Sequence, residues 1–298
     1  MKTHLDYIIK GTPKYPICVP SHQRPVGHTF EHLKKSKLSA YIYIDVTDDK
    51  EEYEKTGNII VQGPKRNIAE KRYDMIKHQQ ELGTKFAWFI DDDYIKFQTK
   101  DLDSKYIPVD IASFFATIEQ YIDVEKDWFV KIPSSQIGLK LFGPNKSYKG
   151  TTPLSKSSHT LFAGCYGINI ELMKQHNINF DKDCPLGVGE DVELVCRFIK
   201  SGFSGKTVNF LEAVYDKKIK SQAWDLNVEQ TKKAEQSKKH KDVYRYLIKK
   251  YPNIIHWDLN GVMGAKISAK NAVKYPEWYI KEYPDEYKQL NGFKFGGL

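Results

Sequence analysis

The feature that most constrains the fold is a short apolar segment, Phe86–Ile90, followed directly by three aspartates, Asp91, Asp92 and Asp93. Aromatic and β-branched residues in such a run predict a strand that is buried on both faces of a sheet. Carboxylates inside that strand would be very costly to bury. We therefore expect them at its carboxyl end, the edge where open α/β sheets bind ligands.

Three carboxylates at one edge repel one another unless a cation lies among them. Mg²⁺ and Mn²⁺ prefer oxygen ligands and often share them with the phosphates of a substrate. The trio therefore predicts a divalent-metal site for a phosphorylated ligand. The alternative is a solvated acidic turn that ends a strand, which is the common meaning of an isolated Asp-Asp-Asp.

Strand and helix patterns alternate along the first half of the chain. Strands are predicted at 15–20, 40–45, 58–61 and 86–90, and helices at 29–36, 49–55 and 64–82. Further on, the patterns predict helices at 109–122 and 192–200 and strands at 127–132, 161–168 and 206–215. This order predicts an α/β fold with a mainly parallel central sheet flanked by helices.

Charge is concentrated near the C-terminus. The 298-residue chain has a formal net charge of +8, and residues 217–250 hold eleven Lys and Arg against four Asp and Glu. Two regions are predicted, a catalytic region at 1–215 and a basic helical region at 216–298 that packs on it. A basic stripe suits a polyanion such as nucleic acid. The alternative is a solvated, lysine-rich helix face.

The remaining bulk features favour an intracellular protein. No segment is long and apolar enough to cross a membrane, and the first residues lack the apolar core of a secretory signal. The four cysteines are scattered without metal-type spacing and are expected to be reduced. We therefore expect a cytoplasmic location.

Two cationic loops follow predicted strands. Arg24 lies in the loop after the first strand, and Lys65 and Arg66 open the helix after the third. Cationic side chains and a helix N-terminus are ligands for phosphate oxygens. Beside an acidic trio they predict a site for a metal-bound diphosphate.

A second acidic pair, Glu190 and Asp191, follows Gly187-Val188-Gly189 at the start of a predicted helix. Glycines let the backbone approach a ligand closely, and a carboxylate there can act as a general base toward a hydroxyl. The alternative is helix stabilisation, because acids are favoured in the first turn.

These motifs resemble a known class. The strand ending in Asp-Asp-Asp and the later Gly-x-Gly-Glu-Asp are similar to those of GT-A nucleotide-sugar glycosyltransferases. The segments 19–21, 63–69 and 88–93 resemble, more narrowly, the TET-associated and phage-type transferases that glycosylate hydroxymethylated pyrimidines in DNA. The resemblance covers roughly residues 15–215.

The resemblance implies a role for each motif residue. Asp93 would bind Mn²⁺ or Mg²⁺, Asp191 would be the base of an inverting sugar transfer, and Glu190 would orient the acceptor. The nucleotide sugar, expected to be a UDP-sugar, would be held by Pro20, Ser21, Arg24, Arg66, Asp91 and Asp92. Many relatives have a further histidine ligand after Glu-Asp, and only His240 and His256 follow here.

The expected acceptor is 5-hydroxymethylcytosine in DNA. Its phosphates would be bound by lysines of a long loop and of the basic segment, namely Lys140, Lys146, Lys149, Lys232, Lys233, Lys238 and Lys239. Three alternatives stay open. They are a cytosolic glycosyltransferase acting on a polysaccharide, lipid-linked sugar or protein, a non-catalytic nucleic-acid-binding protein, and a two-metal nucleotidyltransferase or nuclease. The oligomeric state is not predicted.

Overall fold

The protein is described by a computed structural model that covers residues 4–100, 105–136, 154–157, 164–182, 184, 189–216, 233–252, 254–257, 263–265, 275 and 277–292. Its strands are β1 (Ile17–Pro20), β2 (Tyr41–Asp45), β3 (Ile59–Gly63), β4 (Phe86–Ile90), β5 (Tyr94–Lys100), β6 (Tyr106–Pro108), β7 (Phe129–Lys131), β8 (Ser134–Gln136), β9 (Leu154–Ser157), β10 (Cys165–Asn169), β11 (Gly205–Val208), β12 (Leu211–Tyr215), β13 (Ile255–Trp257) and β14 (Met263–Ala265). Its helices are a 3₁₀ turn at His4–Tyr7 and α1 (His28–Lys35), α2 (Lys50–Glu54), α3 (Ile68–Glu81), α4 (Ile111–Glu119), α5 (Ile170–Gln175), α6 (Glu190–Lys200), α7 (Lys233–Lys250), α8 (Glu277–Glu282) and α9 (Pro284–Gly292).

The main sheet has eight strands within the described residues, in the order β3-β2-β1-β4-β10-β7-β11-β9. Strands β3, β2, β1 and β4 run parallel, as predicted from the alternation of strands and helices. Strand β10 is antiparallel to both of its neighbours, β4 and β7. The predicted α/β class with a central sheet between helices is confirmed, and the sheet is mixed in its second half.

Alternate residues of the strands enter two separate cores. Ile17, Val19, Trp88 and Ile90 pack with α1 and α4 on one face of the sheet. Cys18, Tyr43, Phe89 and Tyr166 pack with α3, α5, α6 and α7 on the other. All five residues of β4 are buried. This two-sided burial explains why its sequence is a continuous apolar run and why the aspartates follow the strand rather than lie within it.

A second sheet, in the order β6-β5-β12-β8, was not predicted. The prediction of one strand over 206–215 is wrong, because Asn209 and Phe210 break it. Strand β11 stays in the main sheet beside β7, whereas β12 pairs with β5. The backbone of Asp216 returns to Asp93, with 3.4 Å between the amide nitrogen and the carbonyl oxygen. The second sheet therefore borders the acidic trio.

Helix α7 is part of the main core. Its Val243, Tyr244, Leu247 and Ile248 are fully buried in the same cluster as the apolar face of α6. The division of the chain at residue 216 stays a prediction. Among the helices that the structure describes, none has the length and hydropathy needed to span a membrane.

Candidate active site

The acidic trio lies just beyond the carboxyl end of β4, where the sequence predicted it. The first turn of α1 holds its backbone in place. Thr29 donates its hydroxyl to the carbonyl of Asp91 at 2.7 Å and its amide to the carbonyl of Asp92 at 3.3 Å. The three carboxylates lie in three different environments and therefore differ in their partners and in their suitability for binding a cation.

Asp92 is buried and fully engaged with the loop after β1. Ser21 donates its hydroxyl to Asp92 at 2.6 Å, and a guanidinium nitrogen of Arg24 lies 3.1 Å from the other carboxylate oxygen. Burial raises the pKa of Asp92 to about 6, although the nearby Arg24 opposes the shift. Asp92 therefore anchors the loop that carries the predicted nucleotide-binding residues.

Asp93 is partly exposed, and it forms no ion pair with any side chain that the structure describes. Burial, and then the adjacent Asp91 and Asp92, raise the pKa of Asp93 to about 7. A carboxylate that is crowded by like charges and unpaired is the member of the trio best suited to receive a cation. The Asp93 carboxylate thus fits the predicted role of metal ligand.

Asp91 is bound by Arg72, which sequence reasoning missed. Arg72 lies 3.3 Å from Asp91 through one guanidinium nitrogen and 2.5 Å from Glu190 through the other. Its guanidinium carbon lies 5.8 Å from the ring centre of Tyr166. One buried cation therefore joins the acidic trio to the acidic start of α6, and Arg72 and Glu190 are 118 residues apart in sequence.

Gly164 allows this arrangement. A Cβ at that position would collide with the Asp91 carboxylate, and the Asp91 amide donates to the Gly164 carbonyl at 2.8 Å. Within β10, a Cβ on Gly167 would likewise collide with Phe86 and Trp88. A glycine within a strand often marks such a close approach of neighbouring groups.

Glu190 and Asp191 begin α6 after Gly189, which has a φ of +79° and supplies no side-chain cap. Glu190 is buried against Arg72, whereas Asp191 is more exposed and accepts the amide of Val192 at 2.8 Å. Burial raises the pKa of both carboxyls, with Arg72 opposing the shift. Asp191 is therefore the acid of this pair with the freer carboxylate. Gly187 and Val188 lie outside the described residues.

A third acidic group adjoins the loop after β1. His22, Asp45 and Asp48 are buried and lie close enough together to hold a metal ion. Lys71 already lies 3.2 Å from Asp45, and Arg66 lies 3.8 Å from it. Two cations beside the same carboxylate oppose a third, so this group is less suited to a metal than Asp93.

The remaining predicted nucleotide-binding residues border this third group. Pro20 ends β1, and the carbonyl of Ser21 accepts the ammonium of Lys71 at 2.9 Å. Arg66 pairs with Asp74 and reaches the carbonyl of Ile44. No hydrogen bond or ion pair joins Arg66 to the trio within the described part of the chain. Arg66 thus lies on the β2 side of the site and Arg24 on the trio side.

The predicted DNA-binding lysines cannot be located. Lys140, Lys146, Lys149 and Lys232 lie outside the described residues, as do the side chains of Lys233, Lys238, Lys239, His240 and His256. Further along α7, every described Lys or Arg of the basic segment is paired with an acid. Lys241 pairs with Glu282, Arg245 and Lys249 pair with Glu286, and Lys250 pairs with Asp181 and Glu193. This end of the segment therefore carries less free positive charge than its sequence indicates.

The aspartate trio at the sheet edge and the helix that opens with Glu-Asp lie side by side, as the resemblance of their motifs to those of GT-A glycosyltransferases led us to expect. The sequence profile described as "TET-Associated Glycosyltransferase" matches residues 15–222. The chain belongs to this family. The family resemblance seen in its sequence motifs is thereby confirmed.

Two solved structures of low sequence identity align with this chain. GalNAc-T7, solved with UDP, GalNAc and Mn²⁺, aligns with a TM-score of 0.46 and 10% identity over 70% of this chain. The glycosyltransferase GlyE of Streptococcus pneumoniae TIGR4 aligns with a TM-score of 0.37 and 10% identity over 95% of it. The chain spans 44% and 63% of their respective lengths. No curated protein matches the sequence.

Proposed function

We propose that this glycosyltransferase uses a divalent metal to move a sugar from a nucleoside diphosphate sugar to 5-hydroxymethylcytosine in DNA. One observation carries the catalytic part of the proposal. Arg72 binds Asp91 and Glu190 at once, so the acids expected to serve the donor and those expected to serve the acceptor border one site.

The donor side supports nucleotide binding through polar atoms that lack partners. Among the described residues, Arg24 Nε is buried without a hydrogen-bond partner, whereas Arg24 Nη1 forms the ion pair with Asp92. Asp45 Oδ1 and Arg66 Nε also make no hydrogen bond and lie 3.8 Å apart as a loose ion pair. Buried donors and acceptors of this kind are costly unless a ligand satisfies them. A nucleotide with its diphosphate offers both oxygen acceptors and base donors. Pro20 and Ser21 would line the same pocket, with Asp91 and Asp92 at its inner edge.

Asp93 would hold Mn²⁺ or Mg²⁺, because it is the unpaired carboxylate of the trio. Bound there, the metal would neutralise charge on the departing nucleoside diphosphate. Arg24 would support the same charge through its guanidinium. His240 and His256 remain candidates for a further metal ligand.

Asp191 would act as the general base. Its carboxylate takes the proton of the acceptor hydroxyl while the hydroxyl oxygen forms a bond to the anomeric carbon. The bond from that carbon to the diphosphate oxygen breaks on the opposite face, so the configuration inverts and the nucleoside diphosphate leaves. Glu190, which Arg72 holds, would orient the acceptor from beside the base.

The choice of DNA as acceptor rests on the family and on the basic segment. A flipped-out base would let the hydroxymethyl group reach Asp191, and the lysines expected to bind phosphates are those named above, from Lys140 to Lys239. The pairing of Lys241, Arg245, Lys249 and Lys250 with acids favours a second candidate. In that case the same chemistry acts on a polysaccharide, lipid-linked sugar or protein hydroxyl.

The test is incubation with Mn²⁺, a panel of nucleotide sugars, and DNA that contains either cytosine or hydroxymethylcytosine, followed by mass analysis of the digested nucleosides. We expect a sugar adduct on the hydroxymethylated base alone, with a yield that falls steeply with salt. Donor hydrolysis without any DNA adduct would favour the second candidate. No turnover of any donor by folded protein would contradict the proposed activity.

A further inference from the structure

The end of α7 touches the helix that carries Glu190 and Asp191. Glu193, one turn further along α6, is completely buried. Its carboxylate accepts the hydroxyl of Tyr251 at 2.6 Å and the Nε of Arg197 at 2.8 Å, and it lies 2.9 Å from the ammonium of Lys250. Three donors on one buried carboxylate form a strong, directional link between α7 and α6.

A neighbouring acid extends the link. Asp181, in the segment before α6, accepts the hydroxyl of Tyr246 at 2.5 Å and the ammonium of Lys250 at 2.6 Å. Lys250 therefore binds two acids, one before α6 and one within it. We call Tyr246, Lys250 and Tyr251, with Asp181 and Glu193, the α7 clamp.

The first turn of α6 needs such support. Gly189 provides no capping side chain, so the orientation of Glu190 and Asp191 depends on lateral contacts. Arg72 supplies one, at Glu190. Glu193 lies three residues after Glu190, on the same side of the helix, and its amide donates to the Gly189 carbonyl at 2.9 Å. A contact that fixes Glu193 therefore fixes the turn that presents the acids.

We propose that the α7 clamp positions the acidic first turn of α6 for sugar transfer, which makes this part of the C-terminal region a positioning element of the active site. The inference rests on the proposed function. It assigns a role to α7, which lies beyond the residues matched by the family profile. Tyr251 and Lys250 act through Glu193 and touch no reacting group.

The chain offers a matched control. Tyr279 is also buried, and its hydroxyl donates at 3.1 Å to Glu286, a carboxylate that Arg245 and Lys249 bind as well. Glu286 lies on α9 rather than on α6. Tyr251→Phe and Tyr279→Phe thus remove the same hydroxyl from a carboxylate that cations also bind, with Glu193 buried and Glu286 partly exposed, and only the first loosens α6.

The experiment compares both variants with the wild type by steady-state kinetics with a nucleotide sugar and Mn²⁺, and by hydrogen exchange of the amides of residues 190–195. We expect Tyr251→Phe to lower kcat about tenfold through misplacement of the acids, to leave the donor KM within about twofold, and to speed exchange. We expect Tyr279→Phe to change none of these. The melting temperature of each variant is measured alongside, so that a general loss of stability is separated from misplacement of the acids.

Wild-type kcat and exchange in Tyr251→Phe would overturn the inference, as would an equal loss of kcat in Tyr279→Phe. A loss of kcat in Tyr251→Phe that follows its melting temperature, without faster exchange at residues 190–195, would also overturn it. If the wild type turns over no nucleotide sugar, the proposed function fails. The exchange comparison then still decides whether the clamp holds α6.

Discussion

The two sides of the site are built differently. On the side of β1 and β2, the acids are held by several partners each, as Asp92 is by Ser21 and Arg24. On the side of α6, Glu190 pairs with one guanidinium, that of Arg72, among the described residues, and the helix start has no side-chain cap. The first side is formed before any ligand arrives, whereas the second depends on a few long-range contacts. Substitutions should therefore cost most on the α6 side.

Replacement of Arg72 should have the largest effect. Arg72→Met leaves Glu190 buried without a cation, and breaking a buried ion pair in this way costs about 3–5 kcal/mol. We expect that loss in the free energy of unfolding measured with urea, together with the loss of sugar transfer. The double variant Arg72→Met/Glu190→Gln should regain part of the stability, because it removes the stranded charge. A loss of unfolding free energy below about 1 kcal/mol in Arg72→Met alone would contradict the role of Arg72 as the bridge between Asp91 and Glu190.

Asp191→Asn should affect chemistry rather than stability. Removal of a general base lowers kcat by about 10²–10⁴-fold, while the binding of nucleotide with Mn²⁺ should not change. Glu190→Gln is the comparison, because it alters the residue paired with Arg72 and should lower stability more and kcat less. If Glu190→Gln has the larger effect on kcat, the roles of the two acids must be exchanged.

Ser21→Ala should have a moderate effect on the other side. It removes one of the two partners of Asp92, which costs about 1–2 kcal/mol of stability. We expect the donor KM to rise by less than about tenfold, since Arg24 still holds Asp92. Tyr53→Phe is the comparison, because it leaves the Ser21–Asp92 bond and removes two other contacts, the 2.8 Å contact with the Ser21 hydroxyl and the 2.9 Å bond from the Arg24 amide. A donor KM and a stability in Ser21→Ala that equal those of the wild type would contradict the role of the Ser21–Asp92 bond.

The smallest effect is the pH dependence of stability without metal. The pKa of Asp93, about 7, is above the ordinary carboxyl value, so the folded protein holds this proton more tightly than the unfolded chain. Stability should therefore fall as pH rises from about 4 to 7, between the unfolded and folded pKa values, by less than about 1 kcal/mol for this partly exposed group. Asp93→Asn should reduce the slope and melt slightly higher at pH 8. A steeper slope in the variant would contradict the assignment.

Much of the first side could be predicted from the sequence. The apolar run of β4 had to be buried, so its aspartates had to lie at the sheet edge. The loops after β1 and β3 reach the same edge because β3, β2, β1 and β4 all run parallel. Local patterns were sufficient here, because the apolar pattern of each strand and helix predicts which of its residues are buried.

The second side could not be predicted in the same way. Arg72 binds partners 19 and 118 residues away, and no local pattern names them. One signal was available, because Arg72 interrupts the buried stripe of α3 formed by Ile68, Met75 and Ile76. A cation on such a stripe needs acidic partners. The positive charge at the C-terminal end of α7 was overestimated from the sequence for the same reason, because the acids that pair with its Lys and Arg residues lie in distant elements.

The central claim is that Asp93 binds the metal needed for the nucleotide sugar and that Asp191 is the general base, within one site. The most direct test is calorimetric titration of wild type, Asp93→Asn and Asp191→Asn with UDP, GDP, ADP and CDP, with and without Mn²⁺, paired with turnover of the matching nucleotide sugars. We predict Mn²⁺-dependent nucleotide binding in the wild type and in Asp191→Asn, its loss in Asp93→Asn, and the loss of transfer in both variants. Unchanged Mn²⁺-dependent binding in Asp93→Asn, or wild-type turnover in Asp191→Asn, would contradict the claim.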